Sequence, residues 1–375
     1  MSFPRKRESK VISNTSDFIL DSRLRGNDIK AKMIKKICFA IQRKLTMLTI
    51  KNLRQKYFPK ISPSDLEILI SSAIKKPKEF ILTHPEYELD KFKIKNLKLK
   101  IARRAKGEPI AYITKHKEFY GLDFKINRNV LIPRPETEQL VDLAISNLPA
   151  YLPCRQAGRT GKQPAVWKNK KTVIMDIGTG SGNIIISVAK NLDSLPRRQA
   201  GRLRGNDNIK FYASDISKKA LSLARQNAKK HNVDKKIKFL QGDLLKPFIE
   251  NKIFKIQNSK FKILIIANLP YLSKKIYDSA PIDIKKYEPK SALYSPDEGL
   301  KHYKGLFQQI KKLRRVASCE LRVASFLEIS PEQKNKLAKL IKNYFPQSKT
   351  IFHKDLAGKW RACVINITLE KSALV

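Results

Sequence analysis

The sequence predicts an α/β protein: an open, mostly parallel sheet with helices on both faces, preceded by a small helical domain and joined to it by a β-hairpin. Three observations carry this expectation. From residue 171 onward, short apolar runs alternate with helical patterns, the order that builds a parallel sheet through crossover connections. The buried-type strand Thr172-Val173-Ile174-Met175-Asp176-Ile177 runs directly into Gly178-Thr179-Gly180-Ser181-Gly182 and then into an apolar helix. Before residue 112 the apolar spacing is mainly helical instead.

Taken in order, Ser62-Pro63-Ser64-Asp65 opens a helix, with Ser64 and Glu67 expected as a capping box and Pro63 suited to the first turn. Leu66, Leu69, Ile70, Ala73 and Ile74 make its apolar stripe, and Lys75-Lys76-Pro77 ends it. Residues 91–106 fit neither period cleanly, but their length and their Lys and Ala content favour helix. The helical domain is expected over 33–115. Around Phe119-Tyr120-Gly121-Leu122-Asp123-Phe124, two β-prone runs flank a glycine turn, which predicts a hairpin linker over 116–132. Pro135 suits the first residue of a helix through Leu140, Val141 and Ala144. The main domain, 133–370, should hold strands over 172–177, 209–214, 236–240, 261–267, 323–329 and 360–369. Helices are expected between them, around 182–191, 217–231, 300–313 and 331–344.

Internal repeats interrupt this plan. Leu152-Pro153-Cys154-Arg155-Gln156-Ala157-Gly158-Arg159 recurs from Leu195 to Arg202, and Arg202-Leu203-Arg204-Gly205-Asn206-Asp207 recurs from Arg23 to Asp28. Arg315-Val316-Ala317-Ser318 recurs as Arg322-Val323-Ala324-Ser325. These copies are too short and irregular for a solenoid, and they are Arg- and Gly-rich in a Lys-rich chain. They read as inserts tolerated in surface loops, near 152–170, 194–208 and 314–325, with RNA-binding Arg/Gly loops as the alternative. Residues 1–32 are expected to be a disordered extension of the same origin, with Met33 or Met47 as the start of the structured chain.

Composition narrows the class further. No stretch reaches the roughly 18 apolar residues of a membrane helix, and the basic N-terminus lacks the apolar core of a secretory signal. Cys38, Cys154, Cys319 and Cys363 form no C-x-x-C pair and the five histidines show no ligand spacing, which suits a reducing cytoplasm without a metal site. The formal net charge of +45 favours polyanionic partners such as RNA, DNA or a ribosome-bound protein, unless the source proteome is broadly Lys-rich.

The glycine loop is the cofactor candidate. Glycine is needed where backbone must approach a ligand without an intervening Cβ. Asp176, Ile177, Gly178, Thr179, Gly180 and Gly182 are therefore read as cofactor-binding. A strand-terminal acid for ribose hydroxyls should follow about 20 residues later. Asp215 ends a strand but lies 37 positions beyond Gly178, and removing 194–208 brings it near that spacing. Asp243, in Gln241-Gly242-Asp243-Leu244-Leu245, is placed to receive an adenine amino group with Leu244 packed on the base; a helix N-cap is its alternative role. A dinucleotide fingerprint wants G-x-G-x-x-G, whereas this loop reads D-x-G-x-G-x-G and resembles the first motif of class I methyltransferases.

Asn268-Leu269-Pro270-Tyr271 closes the strand 261–267, at the edge where open α/β sheets bind ligands. It is similar to the Asn-Pro-Pro-Tyr motif of methyltransferases acting on planar nitrogens, with Leu269 in place of a proline. An amide nitrogen is a poor nucleophile because its lone pair is delocalised. The Asn268 side-chain oxygen and the Leu269 carbonyl could each accept one of its N–H groups, and Tyr271 could stack on the amide plane.

Further motifs extend the likeness: Gly107-Glu108-Pro109-Ile110-Ala111-Tyr112-Ile113, Glu118-Phe119-Tyr120-Gly121, Val130 to Glu138, Tyr287 to Leu293, and Lys354 to Arg361. Together, over about residues 50–369, the chain resembles the bacterial release factor glutamine methyltransferases. The resemblance implies a class I S-adenosylmethionine-dependent methyltransferase fold, Rossmann-like with a mostly parallel seven-stranded sheet. It further implies S-adenosylmethionine as cofactor, and methylation of the glutamine in the Gly-Gly-Gln motif of peptide chain release factors. The helical N-terminal domain would help dock that substrate, Asn268, Leu269, Pro270 and Tyr271 would be catalytic and substrate-binding with Asn268 also touching the cofactor, and Arg134, Glu136 and Thr137 would shape the substrate and cofactor pocket. The chain is expected to be a cytoplasmic monomer, with its charge adding a weak nonspecific attraction to nucleic acid. Other readings are glutamine methylation of a ribosomal protein, DNA adenine N6-methylation, and a non-catalytic RNA- or ribosome-binding protein on a degenerate fold. The Pro133-Arg134-Pro135-Glu136-Thr137 run favours release factors over the first. The second lacks a sizeable target-recognition domain after the core.

Overall fold

The computed structural model describes residues 33–35, 48–148, 171–193, 209–251, 261–316 and 321–369. The expected extension at 1–32 and inserts at 152–170 and 194–208 lie outside these residues. Two compact units divide the chain, Met1–Leu99 and Lys100–Val375. The division falls within the helix Lys91–Ala105.

The first unit holds helices Ile50–Tyr57, Pro63–Ile74 and Lys78–Thr83, with a short antiparallel pair, β1 (Leu48–Thr49) and β2 (Glu88–Leu89). Leu53, Leu66, Leu69, Ile70 and Leu97 fill its core. The helix at 63–74 is capped by Ser62, whose hydroxyl accepts from the Asp65 N–H at 3.2 Å, and not by Ser64. Glu67 is thereby free of a capping role and pairs with Arg54 at 2.6 Å and Lys78 at 3.1 Å. Along 91–105, Ile94, Leu97 and Ile101 are buried at helical spacing, while Phe92 and Leu99 are exposed. Those two exposed apolar residues are what blurred the period.

In the second unit the end of the helix Lys91–Ala105 and a short helix, Ile110–Thr114, lead into a hairpin, β3 (His116–Phe119) and β4 (Leu122–Lys125). Its two-residue turn puts Tyr120 and Gly121 at φ +53° and +68°, the left-handed pair whose twist suits a tight hairpin. Tyr120 bears this conformation because its N–H donates to Glu138 at 2.7 Å and its hydroxyl to Asp142 at 2.6 Å. The hairpin ends at Lys125, not Ile132; residues 126–132 form a loop, tied by the Tyr112 hydroxyl donating to the Val130 carbonyl at 2.7 Å. Pro135 begins a 3₁₀ turn, Pro135–Thr137, and the α-helix follows over Glu138–Ser146.

The main sheet has seven strands: β5 (Lys171–Ile177), β6 (Ile209–Asp215), β7 (Ile237–Gln241), β8 (Phe261–Ala267), β9 (Leu321–Glu328), β10 (Lys349–Lys354) and β11 (Trp360–Leu369). Their order is β10-β11-β9-β8-β5-β6-β7, parallel from β9 to β7 and antiparallel at β11 and β10. Successive residues of β5 and β8 alternate between two apolar clusters, one on each face. Ile174, Leu264 and Ile266 enter one, while Val173, Met175, Ile263 and Ile265 enter the other. A sheet buried on both sides explains why these strands read as continuous apolar runs.

Two corrections concern β9 and β10. Residues 321–325, expected within an insert, are the buried first half of β9 and pair with Phe261–Ile265 of β8. Strand β10, the seventh that the resemblance implied, was not located from the sequence; it is an edge strand with alternating half-exposed side chains, including Ile351 at 42% exposure, and so lacks an apolar signature.

After β5 the chain builds outward through β6 and β7, then returns to lay β8 on the opposite side of β5. The reversal opens a crevice at the carboxyl ends of β5 and β8, the position where such sheets take ligands. Register aligns those ends. Ile177 pairs with both Ser214 and Ala267, and Ala267 pairs with Leu327. Asp215, Gly178, Asn268 and Glu328 therefore stand at one level on four adjacent strands.

Candidate active site

A cleft of about 340 Å³ occupies this crevice. Gly178, Thr179, Gly180, Asp215, Asp243 and Leu244 line one part of it; Asn268, Leu269, Pro270, Arg134 and Thr137 line another.

The glycine loop folds over the sheet edge. The Gly178 and Thr179 N–H groups donate to the Ser214 carbonyl, each at 2.9 Å. Gly178, Gly180 and Gly182 all have positive φ. Their roles divide: a Cβ at Gly180 would meet nothing within 4 Å, so its backbone faces open space, whereas one at Gly182 would strike the Ile186 side chain at 2.8 Å. Gly182 is thus a packing glycine outside the cleft lining. Asp176 and Ile177 do not line the cleft either. They still belong to β5, so their side chains go to opposite faces of the sheet rather than over its edge. Asp176 braces the loop from behind, accepting from the Thr179 hydroxyl at 2.6 Å and the Ile185 N–H at 3.3 Å. Burial pushes its pKa up to about 7, and its Oδ1 has no hydrogen-bond partner among the described residues.

Asp215 reaches back to this loop across 35 residues of sequence: Oδ2 accepts from Gly180 N–H at 2.9 Å and Oδ1 from Ser217 N–H at 2.8 Å. Each oxygen keeps a further lone pair, and burial raises the carboxyl's pKa. Leu244 lies beside it at φ +52°, an uncommon conformation for a leucine, held by the Ser214 hydroxyl donating to its carbonyl at 2.8 Å. A carboxylate over a glycine turn, an apolar side chain and a second acid, Asp243, fit the nucleoside half of S-adenosylmethionine.

On the far side, the Asn268 Nδ2 donates to the Thr137 hydroxyl at 3.1 Å. That hydroxyl donates to Glu328 Oε2 at 2.6 Å, and the Tyr271 hydroxyl donates to Glu328 Oε1 at 3.1 Å. Tyr271 is held on Glu328 and is not among the residues that line the cleft. Burial, with the Glu328 charge nearby, raises its hydroxyl pKa. Leu269 is 2% exposed, its side chain packed over Gly178, so only its backbone is available for polar work. Arg134 pairs with the buried Glu288 at 2.5 Å, and Glu288 also accepts from Ile132 N–H at 3.1 Å. Glu136, grouped with these residues from sequence, is exposed and outside the cleft.

Several residues were missed. Glu328 and Glu288 are buried acids that organise the site, and the first had a legible signal as a charge ending an apolar strand. Gln333 donates to the Tyr271 carbonyl at 2.9 Å and accepts from Ser330 N–H at 3.2 Å, pinning the exit of the tetrapeptide. Gly299 passes so close that a Cβ there would lie 2.1 Å from the Tyr271 carbonyl oxygen. Glu108 holds Arg128, a cleft residue, at 2.7 Å, and also Arg103; the Arg103 hydrogen bonds lower its pKa to about 2. Among the described residues there is no cluster of metal-ligating side chains and no helix long and apolar enough to cross a membrane.

Comparison with known proteins agrees with this geometry. Residues 168–353 match a family model described as a methyltransferase domain, and 49–114 one described as the PrmC N-terminal domain. The chain is 32% identical over 299 residues to the release factor glutamine methyltransferase of Dictyoglomus turgidum, covering 80% of this chain and 89% of the relative. The enzyme of the same description from Clostridium acetobutylicum is 30% identical over 279 residues, covering 74% and 82%. The bifunctional methyltransferase of Rickettsia bellii is 34% identical over 256 residues, and this chain covers only 42% of its length.

Proposed function

Because the chain belongs to the family of release factor glutamine methyltransferases, we propose that it methylates the side-chain amide of the glutamine in the Gly-Gly-Gln motif of peptide chain release factors. The observation that carries this reading is the common level of Gly178, Asp215 and Asn268 at the sheet edge, which sets a nucleoside site beside an amide-binding tetrapeptide. S-adenosylmethionine, when bound, supplies an electrophilic methyl group.

The chain's own residues do the rest. Asp215 and the glycine loop hold the ribose, and Asp243 with Leu244 holds the adenine. Asn268 Oδ1 and the Leu269 carbonyl accept the two amide N–H groups of the substrate glutamine. That fixes the nitrogen in line with the methyl carbon and stabilises positive charge as it develops there. Asn268 and Leu269 hold the amide while the bound cofactor supplies the methyl group to that nitrogen and keeps the leaving electron pair on its sulfur. The extra proton leaves to water, so no dedicated base is required. In this reading the enzyme acts as a cytoplasmic monomer, and its charge adds only a weak nonspecific pull on nucleic acid.

Mass spectrometry of the Gly-Gly-Gln peptide after incubation with enzyme and cofactor should show one added methyl. A peptide left unmodified while DNA or a ribosomal protein gains the methyl would overturn the assignment. The Asn268→Ala variant should bind cofactor normally and lose at least about 100-fold in turnover.

A further inference from the structure

We propose that Glu328 is a positioning residue that fixes which end of the Asn268 amide faces the substrate, acting through the Thr137 hydroxyl. The inference rests on the methyl-transfer reading for its consequence, but its geometry stands independently.

The argument is one of hydrogen-bond polarity. Glu328 is 1% exposed; burial raises its pKa, and in the ionised form that Arg361 favours its carboxylate can only accept. Both oxygens are occupied, Oε2 by the Thr137 hydroxyl at 2.6 Å and Oε1 by the Tyr271 hydroxyl at 3.1 Å. Thr137 has a single proton, and Glu328 takes it. Toward Asn268 the Thr137 oxygen can therefore only accept, and the group it faces is Nδ2, at 3.1 Å. A flipped Asn268 would set two acceptors against each other in a half-buried site. The relay thus turns Oδ1 toward the cleft that Asn268 lines, where an acceptor is what a substrate NH2 group requires.

The rest of the surroundings keep Glu328 in place. Burial raises its pKa, the Thr137 and Tyr271 hydrogen bonds and then Arg361 favour its charge, Glu136 opposes it, and the Tyr303 hydroxyl donates to its backbone carbonyl at 2.5 Å. Ala362 of β11 is its register partner, so the carboxylate stands on a strand paired on both sides. An uncharged amide at 328 can donate as well as accept, so it no longer enforces one direction along the chain of hydrogen bonds.

Three variants test this: Thr137→Val, Thr137→Ser and Glu328→Gln. Steady-state methylation of the release factor should show Thr137→Val losing about 100-fold in kcat, with cofactor affinity and KM for the release factor changed by less than about threefold. Thr137→Ser restores a hydroxyl and should recover turnover to within about tenfold of the wild type. Glu328→Gln should lose at least about tenfold, and the double variant with Thr137→Val should lose no more than the worse single one, since both cut one relay. Equal kcat for Thr137→Val and wild type, or a Thr137→Ser as defective as Thr137→Val, overturns the relay. If Glu328→Gln does not fold, the threonine pair decides alone. A separate readout needs no acceptor. The Asn268 side-chain NH2 signals, identified by their loss in Asn268→Asp, should exchange slowly with water in the wild type and fast in Thr137→Val. Should the wild type leave the release factor unmodified, the substrate reading fails, and this exchange measurement still supports or overturns the relay.

Discussion

Gly299→Ala should damage the site more than any conservative change within the cleft itself. Gly299 adopts φ +86°, and a Cβ there would sit 2.1 Å from the Tyr271 carbonyl oxygen and 2.2 Å from Gln333 Nε2. The left-handed conformation alone costs a non-glycine residue roughly 1–2 kcal/mol. The overlap cannot be relieved by rotating a flexible tip, because one contact is backbone and the other is the donor of the 2.9 Å bond to that same backbone. Breaking that bond strands a buried amide and adds about 1–3 kcal/mol. The sum, about 2–5 kcal/mol, corresponds to a fall in melting temperature on the order of 10 °C. Catalysis should suffer further, because the Tyr271 carbonyl ends the tetrapeptide and displacing it moves Asn268. Differential scanning calorimetry and methylation assays on the purified variant check both effects. A melting temperature within about 1 °C of wild type, together with unchanged kcat, would refute the reasoning.

Other expectations follow from the same geometry. Asp215→Asn should weaken cofactor binding by about 10–100-fold, read by calorimetric titration, because a charge-assisted bond to a hydroxyl is lost; unaltered affinity would remove Asp215 from the ribose site. Asp176 should make stability fall as pH rises. Burial raises its folded-state pKa to about 7 from the ordinary 3.8, so the native state holds the proton more tightly than the unfolded chain. Its contribution is fully present below the unfolded value and is lost as pH climbs through about 7. Asp176→Asn should flatten that slope, removing a loss on the order of 3 kcal/mol between about pH 5 and about pH 8. Urea midpoints that fall equally in both proteins would contradict it. Leu269→Ala should cost about 2–4 kcal/mol of stability through lost packing over Gly178 yet keep kcat within about tenfold, since the backbone carbonyl does the polar work; a turnover loss as large as that of Asn268→Ala would show that the side chain matters.

What the sequence made legible was local. The strand, glycine loop and helix at 171–193 announce themselves within one window, as does the tetrapeptide after β8. That locality has a limit. Asp176 and Ile177 belong to the motif as a string, but strand alternation sends them to the two faces of the sheet. The Ser64–Glu67 capping box failed for a similar reason. Ser62 is an equally good cap two residues earlier, and Glu67 had distant partners in Arg54 and Lys78 that no local rule could weigh.

The relational part of the site could not be read this way, because it is created by register. Thr137 and Glu328 are 191 residues apart, and Arg134 and Glu288 are 154 apart. Glu328 stands beside Asn268 because β8 and β9 pair with Ala267 opposite Leu327. A slip of one residue in that pairing would turn the carboxylate to the other face of the sheet and leave Asn268 without its relay. Register in turn is fixed by which residues of β9 the two cores accept. Phe326 goes to one face and Leu327 to the other, each fully buried, so a shift would drive Glu328 into an apolar layer. The apolar pattern that marks β9 as an ordinary buried strand is therefore also what aims its terminal acid at the active site.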